Sequence, residues 1–554
     1  MFRKRDPQGG LFESSGLLPP EKAQRLEKSW ADGFRRHALP LIDEAAFAPL
    51  YCEDNGRPNA PVEIVFGVLL LKAMFDLTDE EALEQLEWNL QWHHALRLQP
   101  EDAHLCQKTL HNFRARLLAH DGGRLAFEET TGRILAALKI RVDRQRLDST
   151  HILSNFAHLT RLRLFCETIR VLLRAVHATH PRLFPRVPER LRARYLRSDG
   201  SSSAYGDART EVARRRLEVC ARDVYRLHAV LAGTAAAKLA EYTVLERLLL
   251  EQCDVTPRPP KARDDDDDAG ERPAPVRTKA PNDVSSASLQ TPHDPDVTYS
   301  GHKGKGYSVQ VAETCHEDNP VEIITHVEVT EASTSDANAT VPTLEALSTR
   351  GLHPEEMIAD TTYGSGANAV DAERVGIELV APVGGASDAH AEDDAAEATR
   401  ALTIADFDVD TTGQRTAVCP AGHEAEREEE CSEHRLKITF ARERCEACPD
   451  YARCPAKYQQ NVDGFVLSVN LIQRNLERRR RAEATGEFKK RYDIRAGIEA
   501  TNSELKRRHG LGRLRVRRRP RVELAVYLAA LACNLKRMVR HLLAAAPEIV
   551  PQPA

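Results

Sequence analysis

From residue 61 onward, apolar side chains recur at helical spacing: Ile64, Val65, Val68, Leu69 and Phe75, with Lys72 on the same face. Pro61 suits the first turn of that helix. Thr78 and Glu81 spell a capping box, which opens a second helix through Leu83, Leu86, Leu90 and His94. A third helix is predicted over 107–118, with Leu110, Phe113 and Leu117 as its inner face. Together these elements predict a compact all-helical N-terminal module. Periodicity alone does not say whether such a module binds DNA, binds a partner or only packs.

The pattern then changes. Ile140 and Val142 alternate, and residues 146–151 read as a strand ending in an acid, Asp148. A long helical stretch is expected over 151–253. Residues 256–296 break it with Pro257, Pro259, Pro260, the aspartate run 264–268, Pro273, Pro275 and Pro281, the composition of a disordered linker. Strand patterns resume at 307–313 and 321–329, joined by a turn at 316–320, and predict a hairpin. A helix follows Ser335 and Asp336, runs through Leu344 and Leu347 and stops at Gly351. A short apolar strand, 357–360, ends in Asp360; a helix over 368–375 and a strand over 377–382 come next. With two insertions removed, the order is β-β-β-α-β-α-β-α. Strand–helix–strand units imply parallel pairing and the hairpin implies antiparallel pairing, so the sheet is α/β and mixed, flanked by helices.

Near the end of the chain the periodicity becomes chemical. Residues 492–506 read Y-x2-R-x3-E-x6-K. At about 100° per residue, Tyr492, Arg495, Glu499 and Lys506 share one narrow stripe, while Ile494, Ile498 and Leu505 share another. One face can dock on a core while the other offers a carboxylate between cations and a phenol. A solvated face with ordinary ion pairs is the simpler reading of such a stripe taken alone.

At 554 residues, two to four domains are expected. The longest apolar run, 64–71, is too short to span a bilayer, and the first residues lack a signal-peptide segment, so a cytoplasmic protein without a membrane partner is expected. Net charge is −5, but it is unevenly spread. Residues 474–521 hold 18 Lys/Arg against 6 Asp/Glu, a local +12 that leaves −17 elsewhere. Residues 507–521 carry eight arginines and no acid, the electrostatic footprint of a nucleic-acid partner.

Asp148, Asp360 and Glu499 therefore stand out by position. Each alone is a weak signal, because acids at strand ends are usually turn formers or caps. Together they supply what phosphodiester chemistry needs: carboxylates for two divalent ions, with Arg495 and Lys506 beside Glu499 to grip phosphates. Asp143 and Asp336 are weaker rivals for a metal role.

These residues resemble those of a DDE-type insertion-sequence transposase. The set Tyr492, Arg495, Glu499 and Lys506 matches the Y-x2-R-x3-E-x6-K signature of one large branch. Residues 147–155 and 358–365 resemble that branch's two aspartate segments, although Thr361 and Thr362 stand where Ala-Gly is commoner. Residues from about 60 to 118, including 106–114, are similar to its helical N-terminal domain. The resemblance implies an RNase H-like sheet with catalytic metal ligands Asp148, Asp360 and Glu499 holding two Mg2+ (or Mn2+) ions. It implies water attack at the element's end and transfer of the 3′-hydroxyl into target DNA, with Tyr492, Arg495 and Lys506 positioning that end. Double-stranded DNA is the implied partner, contacted also by Arg507, Arg508, Arg513, Arg515, Arg517, Arg518 and Arg519. A homodimer or larger synaptic assembly is implied, in a bacterial cytoplasm and on the nucleoid when DNA-bound. The alternatives are a catalytically silent DNA-binding derivative and a metal-dependent nuclease without strand transfer.

Between Asp360 and Glu499 lies a second insertion. Cys445 and Cys448 have knuckle spacing, and Cys419 and Cys454 complete a four-thiolate site suited to structural Zn2+, with His423 or Cys431 as possible substitutes. The expected divisions are an N-terminal segment (1–58), a helical domain (59–135), a first core strand (136–150), a helical insertion (151–255) and a linker (256–296). The core continues over 297–383, followed by the cysteine-bearing insertion (384–485) and the catalytic helix with its basic tail (486–545).

Overall fold

The computed structural model describes residues 2–5, 18–52, 59–208, 210–256, 276–384, 400–412 and 415–545. The N-terminal module contains α1 (Val62–Met74), α2 (Asp79–Trp88), α3 (Gln107–Ala119) and α4 (Gly122–Leu138). The capping box forms: the Glu81 amide donates to Thr78 Oγ1 at 3.1 Å, and the Thr78 amide donates to Glu81 Oε2 at 2.7 Å. The expected helix through His94 stops at Trp88, because Asn89 leaves helical backbone geometry and caps a new short helix, Leu90–Ala95.

The central sheet holds β1 (Arg144–Ile152), β2 (Gly304–Thr314), β3 (Ile324–Glu331), β4 (Glu356–Ala359) and β5 (Glu378–Val380) in the order β3-β2-β1-β4-β5, and the short strand Thr298–Ser300 pairs with the start of β2. β2 is antiparallel to both β1 and β3, whereas β4 is parallel to both β1 and β5. Between β1 and β2 the helical insertion packs α5 (Arg161–Thr179), α6 (Thr210–Leu231) and α7 (Ala240–Gln252) around a core of its own. The helical stretch expected from 151 begins only at Arg161, since β1 continues to Ile152.

The expected linker 256–296 needs correction in part. Residues 257–275, including the aspartate run, lie outside the described residues. From Val276 the chain is packed: Val276–Thr278 pairs with Cys253–Val255, and Leu289, Thr291 and Asp294 are buried. Asp294 accepts from Ser154 and from Tyr307, so its polarity is satisfied inside the core.

α8 (Thr340–Thr349) and α9 (Gly366–Arg374) cover one sheet face, packing Leu344 and Leu347 against Leu147 and Met357. The second insertion folds as a sheet of β6 (Arg427–Ser432), β7 (Arg435–Ala441) and β8 (Gly464–Asn470), with Lys457–Gln459 at its edge. It returns through α10 (Leu471–Glu483), whose Arg479 donates to Gly364 O at 2.8 Å and Ala381 O at 2.7 Å. α11 (Gly486–Asp493) and α12 (Gly497–Arg508) follow. α13 (Arg519–Ala545) then closes the other sheet face, joining α1, α4 and β3 in one core. Among the described residues no helix is long and apolar enough to cross a membrane.

Candidate active site

β1 and β4 lie side by side, with Leu147 opposite Ala359. This register puts Asp148 beside Asp360, the first residue beyond β4. Asp148 sits mid-strand rather than at a strand end, because β1 runs four residues past it to pair with β2. Asp360 turns the chain, accepting from the Thr362 amide at 2.8 Å.

Glu499 arrives from the other side, in the first turn of α12. The single helix expected over 492–506 is interrupted by a 3₁₀ turn at Ile494–Ala496. At this turn Ile494 O accepts from Arg146 Nη1 at 2.8 Å. Gly497 makes this approach possible, since a Cβ there would lie 2.1 Å from Arg146 Nη1. Ile498 and Leu505 are fully buried, and Ile494 is half-buried.

The stripe therefore meets the two aspartates. Arg495 Nη2 lies 3.3 Å from Asp148 Oδ1 and 4.0 Å from Asp360 Oδ2, and Arg495 Nη1 lies 3.4 Å from Glu499 Oε1. One guanidinium sits among three carboxylates drawn from segments more than 100 residues apart. The acids differ in depth: their side chains are 13%, 33% and 68% exposed in chain order, so Asp148 forms the floor and Glu499 the rim. Burial raises the Asp148 carboxyl above its usual range, against the opposing pull of Arg495. Asn502 donates to Asp148 Oδ2 at 3.1 Å and fixes its orientation.

The remaining stripe residues flank this cluster. Tyr492 stacks on Phe488, with ring centroids 5.8 Å apart and planes 10° apart, over Ile358 and Val380. Its phenol is raised by burial and by the nearby aspartates. Lys506 is lowered by burial and by Lys303. Lys303 donates to Ser149 Oγ at 3.1 Å, so a second cation lies beside the acids; no periodicity marked it, because it sits in a turn before β2.

The rivals separate from the cluster. Asp143 lies just before β1, paired with Arg141 at 2.5 Å. Asp336 is closer, but it accepts from Ser149 at 2.8 Å and Gln310 at 3.1 Å, and Ser335 is the helix cap.

Sequence reasoning missed the scaffold beneath the acids. Glu313 on β2 is fully buried. Arg146 Nη2 reaches it at 2.6 Å, Arg537 Nη1 at 3.1 Å and Thr501 Oγ1 at 2.6 Å. This network ties β1, β2, α12 and α13 together. Its only sequence signal is charge at inward strand positions, Arg146 and Glu313, opposite each other in register.

The basic residues are not equivalent. Arg507, Arg508, Arg513, Arg517 and Arg518 are exposed, with no acid partner among the described residues. Arg515 is bound to Asp76 and donates to Asp76 O at 2.9 Å, and Arg519 pairs with Glu523 at 2.8 Å. Those two join protein to protein.

In the second insertion, Cys419, Cys448 and Cys454 are near enough to act electrostatically on Cys445, but no three of the four sulfurs lie within 4.8 Å of one another. Burial, then the Cys454, Cys419 and Cys448 thiols, push Cys445 up to about 11. Cys431 points elsewhere, on exposed β6. His423 donates its amide to Cys419 Sγ at 3.3 Å, while its ring Nδ1 is buried without a partner. As donor types, the four thiols suit zinc.

Two family models match. A transposase DDE domain covers residues 418–539, and a transposase domain (DUF772) covers residues 24–116. Both matches support a DDE-type insertion-sequence transposase. No curated protein and no solved structure matches this chain. Of the three acids, Glu499 lies within the DDE match, and Asp148 and Asp360 precede it.

Proposed function

We propose that the chain is an active transposase that cleaves DNA at the ends of its element and joins the freed 3′-hydroxyl to target DNA, with Asp148, Asp360 and Glu499 as its metal ligands. The observation that carries this is the Arg495 guanidinium among the three carboxylates. A cation already favours that position, and the donors are hard oxygens suited to Mg2+ or Mn2+. The strand order β3-β2-β1-β4-β5, with helices on both faces, supports an RNase H-like core.

Divalent ions held there supply activation of the attacking oxygen and stabilisation of the leaving one. The protein's own residues do the rest. Asn502 holds Asp148 in one orientation, and the Glu313 network holds α12 against the sheet. On binding, Arg495 exchanges carboxylates for a backbone phosphate, a partner its planar fork fits equally well. Tyr492 and Lys506 border the same opening and position the DNA end. Arg507, Arg508, Arg513, Arg517 and Arg518 extend the cationic surface along the duplex, and a synapse of two ends requires at least two copies of the chain. The second insertion, closed by Cys419, Cys445, Cys448 and Cys454 on Zn2+, is a structural module. The eight expected divisions of the chain are retained as its organisation, except that residues 276–296 belong with the helical insertion they pack against.

Asp148→Asn, Asp360→Asn and Glu499→Gln should each abolish Mg2+-dependent cleavage of end-bearing DNA while leaving end binding within about threefold. Near-normal cleavage by any one of them removes that acid from the site. Cleavage by the parent chain without strand transfer would reduce the activity to that of a nuclease.

A further inference from the structure

Among the described residues, one set of three metal-competent side chains has all its ligand atoms within 4.8 Å of one another, and it is none of those above: Glu504, His509 and Cys533. Glu504 lies on α12, His509 directly follows it, and Cys533 lies on α13. Cys533 is fully buried, and His509 is 4% exposed.

The histidine carries the argument. Its Nδ1 lies 3.1 Å from Ala73 O, and a carbonyl only accepts, so Nδ1 bears the proton. Burial pushes the ring down to about 4 and keeps it neutral, so the lone pair is on Nε2, which is buried with no partner. An orphaned acceptor inside a core is costly, and nothing in the surrounding protein offsets it. A backbone carbonyl on the far nitrogen is also how metal-bound imidazoles are held. Across from it, Cys533 Sγ lies 3.5 Å from Glu504 Oε2. A thiol hydrogen bond to a carboxylate accounts for that pair but leaves His509 unexplained.

We propose that Glu504, His509 and Cys533 bind a Zn2+ ion that staples α12 to α13. Thiolate, imidazole and carboxylate are all zinc ligands, and three of them leave one tetrahedral position for water. On binding, the Cys533 S–H bond breaks, its proton goes to solvent, and a Zn–S bond forms; against the pull of burial, Arg537 holds the Glu504 carboxyl below its usual range, and burial lowers the His509 ring, so neither has a proton to lose. Thiolate and carboxylate balance the ion's charge, and Arg537 keeps Glu313 as its second partner. Arg537 also touches Glu504 at 3.2 Å, holding that carboxylate in place. The ion is independent of the active-site carboxylates and of the four-thiol cluster.

The test is zinc per chain in the full-length Cys445→Ser/Cys448→Ser protein, which lacks the four-thiol cluster, after dialysis to constant metal content. One zinc per chain is expected, falling to none when His509→Gln is added, with an unchanged far-ultraviolet circular dichroism spectrum. No zinc in the first protein, or one zinc in the second, overturns the proposal. Anomalous diffraction at the zinc edge from crystals of the unsubstituted chain gives the answer without any variant. A peak between Glu504, His509 and Cys533 supports the site, and its absence overturns it.

Discussion

Replacing Glu313 with glutamine removes one negative charge from a deeply enclosed ion cluster while keeping the side chain's shape. Glu313 has no exposed surface and accepts from Arg146 Nη2 at 2.6 Å, Arg146 Nε at 2.8 Å, Arg537 at 3.1 Å and Thr501 at 2.6 Å. Glutamine retains one acceptor oxygen. Its amide would face at least one of the same donors, so a buried guanidinium would lose its counter-charge. Uncompensated buried ions cost about 3–5 kcal/mol. Glu322 is the internal control. It also approaches Arg146, at 3.6 Å, but its side chain is 51% exposed, and pairs of that kind contribute about 0–1 kcal/mol. Urea denaturation followed by circular dichroism, at pH 7 with EDTA, should show Glu313→Gln losing several-fold more stability than Glu322→Gln. Equal losses would refute the claim that this cluster holds α12 to the sheet. DNA cleavage adds a second reading: because Thr501 and Ile494 O hang on the same network, Glu313→Gln should lower cleavage even where the protein remains folded.

Asp148→Asn, measured without divalent ions, should be more stable than the parent at pH 7. Burial raises the folded-state carboxyl, so the parent is penalised above that raised value and relieved below it; the advantage should shrink as pH falls towards the ordinary carboxylate range, and a pH-independent difference in melting temperature would refute the cause. Cys445→Ser should lower bound zinc by one equivalent and destabilise the second insertion, while Cys431→Ser leaves metal content unchanged; equal losses would reassign the ligands. Arg513→Gln with Arg517→Gln should flatten the dependence of log Kd on log salt by up to about two, since each phosphate contact contributes about 0.9. Arg515→Gln should instead loosen the loop from Asp76 and change the slope less; a larger change from Arg515 would reverse that assignment.

Much of the sheet was legible because its strands lie between apolar alternation and turn residues. β2, β3, β4 and β5 each overlap the stretch that periodicity marks. The length of β1 was not legible, because residues beyond Asp148 are polar yet still pair with β2. The break at Ile494 was hidden for a different reason. It depends on a guanidinium 348 residues earlier taking a carbonyl, and helical spacing contains no trace of that contact. The three acids could be nominated from local position, but Arg495's place among them is purely tertiary. The packing of residues 276–296 was masked by prolines, whose turns here fold against α7 rather than lead away from it.

The closing of the core by α13 has a consequence for synthesis. α1 is apolar on almost every side, with Val62, Ile64, Val65, Phe66, Val68, Leu69, Leu70, Leu71 and Met74 all buried, and α13 supplies part of its cover. Those partners emerge from the ribosome some 450 residues apart. At about 5–20 residues per second, the first helix waits roughly 20–90 s for its last neighbour. For most of that interval the nascent chain carries an oily surface and lacks Glu499. Chaperone supply, rather than the chemistry of the acids, is then expected to limit how much working protein a cell obtains from each message.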